Sequence, residues 1–466
     1  MARRLLSLAA LGSAIALGGP ARAEDALAAK VAAPAEAPLA EARPISPPAA
    51  AARPPAIPTS GLDRAPVEPG DPARGAASVL LYPPRRIVEL VFVATGTAAG
   101  LVRDEQFVPR IDEILSPKPG EVSVFPFMFF ESGRAPSLGA KMIAVGQNAA
   151  ASFAAGYGPP QDGLAEGRIR IAAPRPLPTV GSLEALFDRR TQLTYLGVGQ
   201  SPASDRRNQF TPGLEGGSAR YLEQRVRVIG SLGVRAAADL SVFLSTSYVH
   251  SRTDESPYDD ELSLKDVFVA GTVPGVGSTN LVYSELATRL DTRKTLGRPS
   301  PGALIEGYGG VGKAPDSRVA YFRAGAVFGG YLPVVRRSNI LGIRLVVDGL
   351  ATLSSEPIPF ASLLRQPEFR GMDNRRDRMS AVASIDYRWA FARYVGARLF
   401  VDGATVGEGP IQLVTVAPRP AFGFGIDLFS RATEIGQAAI SWSPDGVRLL
   451  LSFGVSTSTH DRQHSY

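Results

Sequence analysis

Four short stretches of this chain carry residues that invite a chemical reading. Gly307-Tyr308-Gly309-Gly310-Val311-Gly312-Lys313 has the glycine and lysine spacing of a phosphate cradle, in which backbone N–H groups hold phosphate oxygens. The position that should offer a hydroxyl to magnesium is Ala314, and no helical pattern follows, so the run reads as a glycine-rich strand end and turn. His250-Ser251 is a pair of the kind in which an imidazole activates a hydroxyl at a lipid interface. No third residue orients that imidazole, and His250 sits at a strand end beside a long loop, so it reads as a loop histidine. His250, His460 and His464 lack the spacing of a metal cluster, and the chain has no cysteine. No catalytic residue, cofactor or metal ligand is expected, and the chain does not read as an enzyme. The fourth stretch, Phe369-Arg370-Gly371-Met372, holds a permanent charge with five donors, yet on its own it is an ordinary loop segment.

The elements around that segment give it meaning. In Ser380–Phe391 one parity reads Ala381, Ala383, Ile385, Tyr387, Trp389, Phe391, and the other reads Ser380, Val382, Ser384, Asp386, Arg388, Ala390. A strand sends successive side chains to opposite faces, so one face is apolar and the other polar and charged. The split recurs in Phe422–Phe429, where Phe422, Phe424, Ile426 and Leu428 oppose Gly423, Gly425 and Asp427. It recurs again in Val447–Val455, with Arg448, Ser452 and Gly454 on the polar row. Strand after strand with an apolar outside and a wet inside is the pattern of an outer-membrane β-barrel.

Composition and the N-terminus agree with export. Arg3 and Arg4 precede an apolar run, Leu5–Leu17, and Ala21-Arg22-Ala23 fits a cleavage site, which makes 1–23 a signal peptide. Residues 24–75 are Ala/Pro-rich with almost no aromatic side chains, a disordered periplasmic linker by composition. Residues 76–119 show helical spacing at Ile87, Leu90, Val91 and Val93, with Glu89 and Gly96 inside the apolar run, and read as a short periplasmic helical segment. Residues 120–466 are the barrel. Over 466 residues, 20% are charged and the net charge is +6. Mean hydropathy is close to zero, as a barrel of half-apolar strands requires. The positive charge is diffuse, with no basic stripe carrying interleaved aromatics, and nucleic acid is not expected as a partner.

From Val122 on, the alternation predicts strand cores Val122–Phe130, Leu138–Gly146, Ala149–Tyr157, Arg168–Ala173, Thr191–Val198, Tyr221–Val234, Asp239–His250 and Leu281–Arg293. It continues with Ala303–Gly310, Arg318–Tyr331, Ile340–Ala351, Ser380–Phe391, Tyr394–Val406, Phe422–Phe429, Gln437–Ser443 and Val447–Ser456. The fold class is therefore all-β, a 16-stranded antiparallel transmembrane barrel with a short helical and Pro-rich N-terminal extension. Glu285, Arg289, Asp291 and Arg293 share one face, as do Glu223, Arg225 and Arg227, and must point to the lumen or a rim. Short links such as Ser132–Pro136 suit periplasmic turns, and Gln200–Arg220, Ser251–Asn280 and Thr352–Arg378 suit extracellular loops. Thr457–Tyr466 reads as a polar tail, with a targeting signal around Leu449-Leu450-Leu451-Ser452-Phe453.

Between about Tyr82 and Ser456 the chain resembles the BamA/TamA superfamily of outer-membrane barrels, the bacterial surface antigen family. In that family a long loop between the eleventh and twelfth strands carries an Arg-Gly signature that folds back into the lumen. Phe369-Arg370-Gly371-Met372 occupies that place, with five strands left before the C-terminus. The resemblance implies that Arg370 meets acidic partners on the next two strands, and the matching positions are Asp386 and Asp402. Tyr195-Leu196-Gly197-Val198-Gly199 and Leu290-Asp291-Thr292-Arg293 are further similar segments. The family's protein-assembly members carry periplasmic POTRA modules, and the residues ahead of Val122 leave no room for an array of them. By resemblance the function is insertion or export of proteins at the bacterial outer membrane, through a weak seam between first and last strands. The alternatives are a passive or solute-selective channel and a structural or anchoring barrel. Expected partners are outer-membrane lipid, client outer-membrane or exported proteins, and a periplasmic partner reached through the linker.

Overall fold

The computed structural model describes residues 120–453, apart from 132–136, 159–161, 174–178, 259–260, 294–299, 335–338, 373, 391–394 and 430–433. The expected signal peptide, linker, helical segment and polar tail lie outside the described residues, as does the end of the last predicted strand. Alternating side-chain chemistry from Val122 on resolves into sixteen strands. They are β1 (Val122–Glu131), β2 (Ser137–Val145), β3 (Ala149–Gly158), β4 (Asp162–Ala173), β5 (Thr179–Tyr195), β6 (Ala219–Arg235), β7 (Leu240–Glu255) and β8 (Gly277–Asp291). The second half is β9 (Gly302–Lys313), β10 (Ala320–Pro333), β11 (Asn339–Thr352), β12 (Met379–Ala390), β13 (Val395–Gly407), β14 (Arg419–Phe429), β15 (Glu434–Ser443) and β16 (Gly446–Phe453). Each strand pairs with its sequence neighbours and β16 closes on β1, all antiparallel.

The two faces of the wall differ as water and lipid do. Leu183, Leu244, Leu286, Phe328, Ile343 and Val401 stand exposed on the outside, whereas Glu184, Glu223, Glu285, Glu306, Asp348 and Asp427 are buried within. A contiguous apolar belt of this extent would make a soluble protein aggregate. Around a closed barrel, whose strands hydrogen-bond to their neighbours on both sides, it is the lipid-facing surface. A charge moved onto that surface near the bilayer midplane costs about 2–4 kcal/mol, which keeps the ionic residues inside. There they pair: Arg225 with Asp188, Arg227 with Glu184, and both Arg289 and Arg293 with Asp291. The chain is an outer-membrane β-barrel.

Strand alternation sorts the connections by rim. One rim carries 196–218, 256–276, 353–378 and 408–418, and the other carries short turns such as 146–148 and 236–239. Long loops belong to the extracellular side and short turns to the periplasm. The long-loop rim also holds α1 (Leu264–Val267), α2 (Pro410–Thr415) and single 3-10 turns at Pro202–Ser204 and Phe360–Ser362. Beneath these loops Tyr195, Tyr221, Phe268, Phe360, Leu363 and Leu364 form the largest apolar core of the molecule among the described residues.

Three expectations are corrected. The Ser132–Pro136 link lies outside the described residues, but β1 and β2 place their connection on the rim of the long loops, not the periplasmic one. Shortness alone is therefore a poor guide to side; strand parity decides it. The fifth strand runs Thr179–Tyr195 rather than Thr191–Val198. Its early part sets Glu184, Asp188 and Arg190 on the lumen row, and its ladder to β6 slips between Arg190 and Leu193. Charges and one irregularity thus interrupt the alternation that marks a strand. Finally, Gly307–Lys313 is the second half of β9 and ends that strand, as expected, but the turn is not within it: the ladder runs through to Lys313. Gly310 and Gly312 face the lumen, where a Cβ on Gly310 would stand 2.7 Å from the Tyr283 hydroxyl oxygen. The glycines make room for tyrosines lying flat on the wall.

Candidate functional site: the loop across the lumen

The 353–378 connection turns inward instead of projecting into solvent. Leu364 and Asp377 exchange backbone hydrogen bonds, Leu364 N to Asp377 O at 3.0 Å and Asp377 N to Leu364 O at 3.2 Å. That bridge closes a finger with Phe369-Arg370-Gly371-Met372 at its tip. The base is fixed by Arg376, which donates to the Tyr221 hydroxyl and lies 5.5 Å over the Phe360 ring. Arg207, from the 196–218 loop, grips Asp377 with two donors at 2.8 and 2.7 Å. Its own partners Asp377 and Asp205 raise the Arg207 pKa above its ordinary value by hydrogen bonding. Asp205 is held below the ordinary carboxylate value. Burial pushes it up, and the bonds from Arg207 side chain and backbone pull it further down.

At the tip, Arg370 meets Asp386 and Asp402. Its backbone N–H and Nε both donate to Asp402 Oδ2 at 2.9 Å, and Nη2 donates to Oδ1 at 2.5 Å. Nη1 donates to Asp386 Oδ1. Asp386 stands on the lumen row of β12 and Asp402 on that of β13. Phe400, directly across from Asp386 in the ladder, puts its ring 3.9 Å below the guanidinium. The Asp402 side chain has no solvent exposure at all. A carboxylate so placed needs its cation, and removing one partner of such a pair costs about 3–5 kcal/mol.

The other tip residues are placed by packing. Phe369 is fully buried among Val382, Ala404 and Ala421. A Cβ on Gly371 would come within 2.5 Å of the Phe369 ring and 2.9 Å of Ser443 Cβ, so only glycine fits. Met372 contributes backbone: its N–H donates to Ser443 Oγ at 3.4 Å and its carbonyl accepts from Arg419 Nη1 at 3.2 Å.

Sequence reasoning missed the residues that hold the tip from the neighbouring strands β14–β16. Arg448 of β16 donates through Nη1 to the carbonyls of Phe369 and Gly371, each at 2.9 Å. Ser441 of β15 donates to the Arg370 carbonyl at 2.5 Å. Arg375 in the loop and Arg419 on β14 both reach Asp445, in the β15–β16 turn. Arg448 already stood on the polar row of its predicted strand; its targets are backbone carbonyls, which leave no mark in a sequence. The finger therefore bridges β12–β13 to the last hairpin.

Between the finger and the β6–β11 wall, Tyr283, Tyr308, Tyr321, Arg323 and Asp348 line a cavity of about 120 Å³. That is smaller than the 300–1,000 Å³ typical of a small-molecule pocket. The two remaining chemical motifs do not join the site. His250 faces outward and bonds Asn280 at 2.8 Å, while Ser251 faces the lumen and donates to Glu223 at 3.2 Å. The wall separates them, so no Ser–His pair forms; His460 and His464 lie outside the described residues.

No family model and no curated protein matches the sequence. Among solved structures, the chain is similar to BamA from Haemophilus ducreyi lacking POTRA domains 1–3. The identity is 13% and the TM-score 0.49, over 72% of this chain and 70% of that one. It is also similar to CdiB from Acinetobacter baumannii, at 12% identity and TM-score 0.42, over 71% and 60% of the two chains. OccK7 (OpdD) from Pseudomonas aeruginosa aligns at 11% identity and TM-score 0.24, over 71% and 98%. At these identities and TM-scores the likenesses carry no argument. What the chain's own geometry shows is a closed barrel of sixteen strands whose Arg-Gly loop between β11 and β12 enters the lumen.

Proposed function

We propose that this barrel inserts or exports proteins at the outer membrane by opening between β1 and β16. The observation that carries the reading is the closure itself. Among the described residues β1 and β16 share four ladder pairs, Met128 with Phe453 through Glu131 with Leu450. The flanking β1–β2 ladder runs from Val122–Ala144 to Phe129–Ser137, and β15–β16 from Gly436–Phe453 to Ser443–Gly446. A strand edge freed at that seam can template an incoming strand by β-augmentation. Clients would be outer-membrane or exported proteins that present such a strand. Residues 24–75 would reach a periplasmic partner.

The lumen finger fits this reading better than it fits a permanently open channel. Its tip is anchored on β12–β13 at one side and on β15–β16 at the other, beside the seam. We assign Arg370, with Asp386 and Asp402, the role of a structural pin rather than a chemical group. The test is the outer-membrane proteome of a strain lacking this chain beside its parent. Selective loss of one or a few barrel or surface proteins is expected. An unchanged proteome, together with steady conductance of the purified barrel in planar bilayers, would contradict the proposal and favour a channel.

A further inference from the structure

The 408–418 connection between β13 and β14 is unlike the other long loops. From Gly409 to Pro418 it has no charged residue, whereas 196–218, 256–276 and 353–378 all carry several. The polar side chains of its only helix, α2, are hydrogen-bonded within the loop. Gln412 accepts from the Glu408 N–H, and Thr415 Oγ1 donates to the Ile411 carbonyl at 2.9 Å. Two of its apolar side chains point away from the protein while Leu413 is half-buried: Ile411 is 72% exposed and Val414 is 84% exposed. An isolated exposed apolar residue needs no explanation, but two on one short helix whose polar groups are already satisfied do.

The helix stands on the outer side of the wall. It packs against β13 and β12. A Cβ on Gly407 would lie 2.7 Å from Gln412 Cβ, and one on Gly403 would lie 3.4 Å from Pro418 Cβ. Gly403 and Gly407 share the outward row of β13 with exposed Val401, and Thr405 between them is buried. Just below, the exposed residues Ile385, Val401 and Phe422 belong to the lipid-facing belt. Outer-membrane barrels carry such a belt about 25 Å tall, and α2 sits at its extracellular edge.

We infer that α2 is a membrane-contact helix, with Ile411 and Val414 immersed at the headgroup–acyl boundary of the outer leaflet beside β12–β14. Continuity with the belt selects lipid as the occupant. The absence of charge agrees, since a short segment lacking a single Lys, Arg, Asp or Glu enters that boundary without an unpaired ion. The contact would fix the membrane level of the two strands that hold Arg370.

The chain has no cysteine, so single-cysteine probes report directly. Val414→Cys and, separately, Ile411→Cys would carry an environment-sensitive nitrobenzoxadiazole label. Each barrel is refolded into phosphatidylcholine–phosphatidylglycerol vesicles, with folding verified by heat-modifiable mobility. Val401→Cys serves as the belt reference and Ser204→Cys as the aqueous one. The inference expects both α2 labels to emit to the blue of the Ser204 label. Lipids with a nitroxide near the headgroup should quench them more than deep-nitroxide lipids, with the reverse order at position 401. Labels at 414 and 411 that iodide quenches as readily as the label at 204 would overturn it. A blue shift that ignores nitroxide lipids and grows with the protein-to-lipid ratio would assign the face to a second copy of the chain, and also overturn it.

Discussion

Arg370 is the residue on which the lumen finger turns. Four hydrogen bonds join it to two lumen carboxylates, one of them with no solvent exposure. Arg370→Ala should therefore destabilise the barrel by about 3–5 kcal/mol, because Asp402 is left buried and unpaired. Urea unfolding followed by heat-modifiable mobility reads this as a lower midpoint. Arg370→Lys should fall between, keeping the charge but losing the bidentate fork. Midpoints equal to that of the unmutated protein in both variants would remove the pin from the account. Gly371→Ala should cost about 1–3 kcal/mol by forcing a Cβ against Phe369 and Ser443. Arg370, Asp386 and Asp402 could be named together only through the family resemblance, which implies that the loop arginine meets those two positions; strand parity by itself put Asp386 on a polar row and Asp402 on a face with Arg398. Arg448, Ser441 and Arg419 could not, since they hold carbonyls and turns that only the folded chain brings near.

The strands were largely readable for a physical reason: a wall between lipid and water writes its period of two into the side chains. β12, β14 and β16 show it cleanly. β5 does not, because lumen charges and a slipped ladder disturb it, and the rim of the β1–β2 link had to come from counting strands. The loops were readable only as lengths. That 353–378 enters the lumen depends on contacts such as Arg207 to Asp377, from another loop altogether. Asp205 in that contact gives a pH prediction. Its carboxyl is held below its ordinary value, so the unfolded chain takes up the proton at higher pH than the folded one. The stabilising contribution is complete above the ordinary aspartate range and is lost as pH falls through the lower, folded value. Pepsin should therefore begin to nick the 196–218 loop only below about pH 4, and Asp205→Asn should move that onset to higher pH. An onset that ignores the substitution would detach Asp205 from the loop's order.

Taken as one object, the barrel is a wall closed, among the described residues, by a four-pair ladder, with the tip of a finger fastened to the strands from β12 to β16. β12–β13 hold the finger through Arg370, and β15–β16 hold it through Arg448 and Asp445, next to the seam. All of these strands lie on one side of the β1–β16 seam, so the seam can part while the finger stays fastened to β12–β16. The most direct test locks the seam. Phe129 and Ser452 are ladder partners on the lumen side, and the chain has no cysteine to interfere. Phe129→Cys with Ser452→Cys, expressed in the strain lacking the native gene, should give a barrel of normal heat-modifiable mobility. Oxidised, it should leave the outer-membrane proteome as depleted as in the deletion, and reductant should restore it. A locked barrel that restores the proteome fully while oxidised would contradict opening at the seam.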